Sequence, residues 1–122
     1  MRRITVLIAL ALFFAGCKKN GAGGNATISG QVLHHSKPIA LALIYVKYDA
    51  REFPGADISL YDTQVQADAV GNYSFACYKG DYFLYAKGTD LLNVPVEVDG
   101  GVPVKVRAKE MVKADIVVSE VH

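Results

Sequence analysis

The sequence has no tryptophan, only two cysteines, and no long apolar run after its first sixteen residues. Two cysteines cannot build the multi-bridge framework of a small disulfide scaffold, so that class is excluded. No apolar pattern persists at helical spacing after residue 25, which argues against a helical bundle. An excess of one charge is also missing, since 13 Lys and Arg stand against 12 Asp and Glu. A nucleic-acid binder would carry a basic stripe, and none is present. The three histidines fall at one hairpin and at the terminus, which leaves little material for a catalytic or metal constellation.

The chain does contain a distinctive start. Met1-Arg2-Arg3 is a short positive segment, and Ile4 to Phe14 is apolar apart from Thr5. Ala15 and Gly16 then lead into Cys17. Charged start, apolar middle and small residues at the cut are the three parts of a secretory signal. The apolar run would cover roughly 16 Å as a helix, against a hydrocarbon core of about 30 Å, so it is too short to span a bilayer comfortably. Ala-Gly directly before a cysteine resembles a bacterial lipobox, with Phe14 standing where leucine is more usual. The resemblance implies cleavage after residue 16, acylation of Cys17 by diacylglycerol and palmitate-type chains, and anchoring in a lipid bilayer. Two or three acyl chains hold a protein stably where one does not.

Removing residues 1–16 takes Arg2 and Arg3 away, leaving 11 basic residues against 12 acidic ones. Lys18 and Lys19 beside the anchor suit contact with lipid headgroups. Residues 17–25, Cys-Lys-Lys-Asn-Gly-Ala-Gly-Gly-Asn, read as a lipidated cysteine and a flexible glycine-rich tether. Lys18 is not the aspartate that retains many lipoproteins in the inner membrane. In a Gram-negative host the expected location is therefore the outer membrane. With Cys17 acylated, Cys77 has no partner and reads as a small buried hydrophobe on the strand face of Tyr73 and Phe75.

Residues 26–122 form one domain whose apolar residues alternate, as half-buried strands require. The pattern predicts strands at 26–34, 42–48, 72–78 and 81–87, then around Val94–Val98, around Val102–Val106, and at 113–119. Turn chemistry separates them. His34-His35-Ser36-Lys37-Pro38 links the first two strands. Asp68-Ala69-Val70-Gly71-Asn72 suits a type I turn with glycine at the left-handed position. Lys79-Gly80-Asp81 and Asp99-Gly100-Gly101 read as hairpin turns. The longest irregular stretch runs from Asp49 to Asp62, with a short strand conceivable near Ile58–Tyr61. The sum is an all-β fold, a seven-stranded antiparallel β-sandwich of transthyretin-like or Ig-like Greek-key type.

The order of the pieces supports a family resemblance. Ile28-Ser29-Gly30-Gln31-Val32 comes first, then Lys37-Pro38-Ile39 and Ala42-x-Ile44-x-Val46. Asp68-x-x-Gly71-x-Tyr73-x-Phe75 and Gly80-x-Tyr82-x-Leu84-x-Ala86 follow. This sequence of motifs resembles the carboxypeptidase regulatory-like domain, with its prealbumin-like sandwich, over about residues 26–88. The resemblance implies a non-catalytic structural or binding module on an exported protein. Related sandwiches with 5-hydroxyisourate hydrolase activity end in Tyr-Arg-Gly-Ser, whereas this chain ends Val118-Ser119-Glu120-Val121-His122. An adhesin-type isopeptide bond is also unexpected, because the first strand has no lysine and the last no asparagine.

No catalytic residue, cofactor or metal site is expected. His34 and His35 are adjacent in sequence, so they would face opposite ways, and a solvated turn is the simpler reading. Asp57, Asp62 and Asp68 lack the spacing of a calcium loop. Phe83 and Tyr85 share the strand face opposite Tyr82 and Leu84, and Tyr45 and Tyr61 are candidates for the same outer surface. If exposed, these aromatics form the best binding platform in the chain; if that face is covered, they are packing residues. The leading expectation is a lipid-anchored module that contacts a protein partner in the cell envelope. The alternative is a carbohydrate-binding lipoprotein that uses the aromatic face.

Overall fold

A computed structural model describes residues 20–91 and 94–121. The expected signal segment, residues 1–16, with Cys17 and its two following lysines, lies outside the described residues. The chain order is β1 (Ala22–His34), β2 (Lys37–Pro38), β3 (Leu43–Tyr48), a 3-10 turn (Ile58–Leu60), β4 (Thr63–Gln66) and β5 (Asn72–Cys77). Then follow β6 (Gly80–Asp90), β7 (Val96–Val106), β8 (Met111–Lys113), β9 (Ile116–Val117) and β10 (Ser119–Glu120).

Two sheets result, and the fold is all-β. The first is centred on β1, which pairs antiparallel with β5 and β2 and parallel with β8 and β9. Thr27 has Ala76 as one partner and Met111 as the other, so β5 and β8 flank β1. The second sheet runs β10-β7-β6-β3-β4, antiparallel throughout. The alternating sets expected from sequence face inward between the sheets. Ile28 and Val32 come from β1, Ile44 and Val46 from β3, Tyr82, Leu84 and Ala86 from β6, and Ile116 from β9. Burying a large aliphatic side chain contributes about 1.5–3 kcal/mol, so these positions carry most of the folding free energy.

The Asp68–Asn72 turn forms as its chemistry requires. Asp68 Oδ1 accepts from the amides of Val70 and Asn72, both at 2.9 Å, and Gly71 takes a φ of 78°. Cys77 is a free, buried thiol, as expected of a small core residue.

Several expectations need correction. Among the described residues there are ten strand segments rather than seven, and two of the pairings are parallel. Asp99-Gly100-Gly101 is no turn; it lies inside the continuous strand β7, which pairs with β6 from Gly80↔Val106 to Asp90↔Val96. The glycines serve close approach instead of chain reversal. A Cβ on Gly100 would lie 2.3 Å from the Val117 carbonyl, and one on Gly101 would lie 2.5 Å from the Phe83 ring. The expected strand 113–119 is broken into pieces because the chain changes sheets there: β9 lies on β1 and β10 lies on β7. The 58–61 segment is a 3-10 turn with Asp57 as its cap, and the strand comes after it, at β4. Order also begins earlier than the expected boundary at residue 26. β1 starts at Ala22, and Ala22 and Ala26 both pair with Cys77 across a bulge.

The reading of Gly100 and Gly101 as packing glycines yields a direct prediction. Gly100→Ala and Gly101→Ala should each destabilise the fold by about 1–3 kcal/mol, the usual cost of overpacking. Urea unfolding checks this, and a cost below about 0.5 kcal/mol, ordinary for a surface turn, would restore the hairpin reading.

Candidate binding surface

β6 decides what the outer face of the second sheet can do. Tyr82 to Ala86 are buried without a break, so both faces of this strand are covered. One face meets the first sheet. The other carries Phe83 and Tyr85, which are 6% and 2% exposed, beside Tyr45 at 8%. The segment between β3 and β4 covers them. Phe53, itself 53% exposed, places its ring 5.8 Å from Phe83 and 5.3 Å from Tyr85. Tyr61 stacks on Tyr85 at 5.6 Å and tilts against Tyr45 at 6.1 Å. Register explains the grouping, because Tyr45 is directly opposite Tyr85 across β3–β6.

The expected set of four aromatics is therefore brought together, but as a second, smaller core. Phe83 and Tyr85 are packing residues, and an open platform built on them is corrected by this burial. Phe53 was not singled out in the sequence, although Arg51-Glu52-Phe53-Pro54-Gly55 placed an aromatic in a loop where none is needed for turn chemistry. The cluster is polar at its margins. Tyr85 donates its hydroxyl to Asp99 Oδ2 at 2.5 Å, and Tyr61 donates to the Gly55 carbonyl at 2.8 Å. Burial pushes the Tyr61 phenol up to about 12. The Tyr85 phenol is raised as well, by burial first and then by its hydrogen bond to Asp99.

Two open clefts border this cluster and share Tyr45. One, of about 450 Å³, is lined by Tyr45, Ile58, Ser59, Tyr61 and Gln64 among others. The other, of about 340 Å³, includes Tyr45, Lys87, Thr89, Glu97 and Asp99. Each sets an aromatic edge beside donors and acceptors.

A second cluster lies at the end of the sandwich where β1 finishes. His34 is 2% exposed, which corrects its reading as part of a solvated turn. Its Nδ1 is 2.6 Å from Asp90 Oδ2, and the carboxylate can only accept, so Nδ1 donates. Lys37 Nζ donates to the other oxygen of Asp90 at 3.0 Å. The hydrogen bonds from His34 and then Lys37 hold the Asp90 carboxyl below its ordinary 3.8. His35, by contrast, is exposed. No hydroxyl or thiol is hydrogen-bonded to His34 among the described residues, so the pair has no nucleophile to activate. Its role is to tie β1 to β6, and so one sheet to the other. Burial raises the Cys77 thiol, partly opposed by the Tyr82 hydroxyl, which suits an unreactive core residue. Among the described residues, no group of three or more His, Cys, Asp or Glu side chains is placed to hold a metal ion.

No family model matches the chain, and no curated protein does. Solved structures share its architecture. A DUF3823 family protein from Parabacteroides merdae aligns with a TM-score of 0.54 and 14% identity over 80% of this chain, which spans 47% of that protein. A protein from Pseudomonas aeruginosa, provisionally described as carbohydrate-binding, aligns with a TM-score of 0.55 and 12% identity. That alignment covers 85% of this chain and 93% of the other. The class that the fold defines is thus a two-sheet β-sandwich. At these identities the likeness establishes that architecture and carries no ligand with it.

The Asp90 cluster predicts a pH dependence. A carboxyl held low in the folded state stabilises the fold above its unfolded pKa, and loses that contribution as pH falls through the lower folded value. Asp90→Asn should therefore be less stable than the parent near neutral pH, and the gap should shrink below about pH 3. Thermal unfolding across pH checks it; a pH-independent gap would assign the cost to packing alone.

Proposed function

We propose that this chain is a non-catalytic β-sandwich module of the carboxypeptidase regulatory-like kind. In this reading Cys17 is lipidated in the outer membrane of a Gram-negative bacterium, and the module serves protein contacts in the cell envelope. The Ala15-Gly16-Cys17 junction after an apolar run supports the anchor, and the ordered motifs between Ile28 and Ala86 support the family reading. One observation carries the contact role. Leu41, Val70, Leu91, Val94, Val117 and Val121 are 44–78% exposed, and all lie toward the end of the sandwich where β1 and β6 finish. Scattered exposed hydrophobics are ordinary, but six gathered at one end of a small domain mark an interaction surface.

A second reading, carbohydrate binding, is favoured by the two clefts around Tyr45 and by the provisional description of the Pseudomonas aeruginosa neighbour. It no longer rests on Phe83 and Tyr85, whose rings are covered. It would use the edge of Tyr45 with Tyr61 and Gln64, or with Lys87 and Glu97.

The anchor is tested by intact mass and thiol counting. The membrane-extracted protein should have the mass of residues 17–122 plus acyl chains, show no reactive thiol when folded, and show one, Cys77, in denaturant. An unacylated chain with a reactive Cys17 overturns the lipoprotein reading. The ligand is tested by placing a photo-crosslinking residue at Val94 or at Gln64 in cells. Capture of one protein from position 94 supports the contact role, and a glycan adduct at position 64 with none at 94 replaces it with the second reading.

A further inference from the structure

The domain begins its ordered contacts almost at the anchor. Asn20 donates its amide to the Lys79 carbonyl at 2.9 Å, and its Oδ1 accepts from the Asp81 amide at 3.2 Å. Gly21 donates to the Tyr82 hydroxyl at 2.9 Å. The chain is thus fastened to the β5–β6 turn only three residues after Cys17. Three residues reach about 11 Å at most. Of the stretch expected as a tether, residues 18–25, the part from Asn20 onward is therefore held against the folded domain.

The fastened end is defined by the register. It holds the start of β1 and β6 and the close of β3, β5 and β7, with the Arg107–Glu110 turn before β8. Lys79, Lys105, Arg107 and Lys109 are exposed there. Arg51, which bonds Asp81 at 3.4 Å, brings the cations of that end to five among the described residues. Asp49, Glu52, Asp81 and Glu110 are the four acids of that end. Lys47 and Asp62, slightly further in, form an ion pair at 3.6 Å and cancel. Elsewhere among the described residues three cations, Lys37, Lys87 and Lys113, stand against seven acids, so the cations are concentrated at the fastened end. Met111, 83% exposed, adds an apolar side chain beside Lys109.

We propose that the sandwich docks end-on against an anionic lipid surface through this fastened end, with the apolar end pointing away from the membrane. The proposal rests on the lipid anchoring of Cys17 and adds an orientation to it. A tether shorter than the domain fixes which end is near the bilayer, and the cations placed there meet negatively charged headgroups. β6, at eleven residues, holds the far end about 35 Å out.

The test uses the acylated mature protein in vesicles of phosphatidylcholine with phosphatidylglycerol. Lysine acetylation rates are read by mass spectrometry and normalised to the unlipidated Cys17→Ser chain. Lys79, Lys105 and Lys109 should react at least about threefold more slowly on the vesicles, and Lys37 and Lys87 at unchanged rates. High salt should relax part of that protection. Equal rates at all five lysines, in protein whose mass shows the acyl chains, overturn the orientation and leave the anchor standing. A mass without acyl chains overturns the anchor and the orientation together. The triple variant Lys105→Glu, Arg107→Glu, Lys109→Glu should stay on the vesicle and lose protection at Lys79; full protection there would overturn the electrostatic part of the proposal.

Discussion

The structure depends on one constraint, the burial of β6 on both faces. A central strand reading Tyr82-Phe83-Leu84-Tyr85-Ala86 has no side that can be left in water. The first sheet covers Tyr82, Leu84 and Ala86. Nothing in a two-layer sandwich covers Phe83 and Tyr85, so the long β3–β4 connection must do so. Phe53 and Tyr61 are the side chains it sends. The same burial accounts for Gly101, since Phe83 needs the space that a side chain there would fill. The loop, the glycines and the aromatic cluster follow from one over-apolar strand.

How much of this was legible in the sequence depends on what kind of signal each part leaves. Alternation identified the inward faces of β1, β3, β5 and β6, because a half-buried strand writes its two faces in period two. The Asp68–Gly71 turn was legible because its side-chain hydrogen bonds are local. The Asp99-Gly100-Gly101 segment misled, because glycine looks the same whether it permits a turn or a close approach. Which role it has depends on Val117 and Phe83, which are remote in sequence. The division of 113–119 between two sheets was hidden for a similar reason: Ile116 and Val118 alternate correctly for one strand while their hydrogen-bond partners lie on β1. His34 was misread because its partner, Asp90, is 56 positions away. The four candidate aromatics were placed on one outer surface, while whether that surface is open or covered stayed undecided, since it depended on where one loop would lie.

Two ties hold the ends of the sandwich, and they differ in kind. At the end where β1 begins, the Tyr82 hydroxyl accepts from Gly21 and donates to the Tyr78 carbonyl at 2.5 Å, joining the first described residues to the second sheet. Neutral hydrogen bonds of this sort contribute about 0.5–1.5 kcal/mol each and are indifferent to salt. At the other end the tie is the buried Asp90 carboxylate, which accepts from His34 and from the half-exposed Lys37 ammonium. Desolvation offsets much of the attraction in such a pair, so its net stabilisation is small and its geometric demand is large. Removing one partner leaves a buried charge, which penalises arrangements in which β1 and β6 are out of register.

That difference bears on the function assigned to each end. A buried histidine beside a carboxylate is also the beginning of a hydrolytic triad, and the pairing alone does not distinguish the two uses. The second oxygen of Asp90 accepts from Lys37 at 3.0 Å, so both carboxylate oxygens are engaged in joining β6 to β1 and β2. The imidazole is itself 2% exposed, and among the described residues no hydroxyl is hydrogen-bonded to it. The cluster therefore does for its end of the sandwich what Tyr82 does for the other: it fixes one sheet against the other.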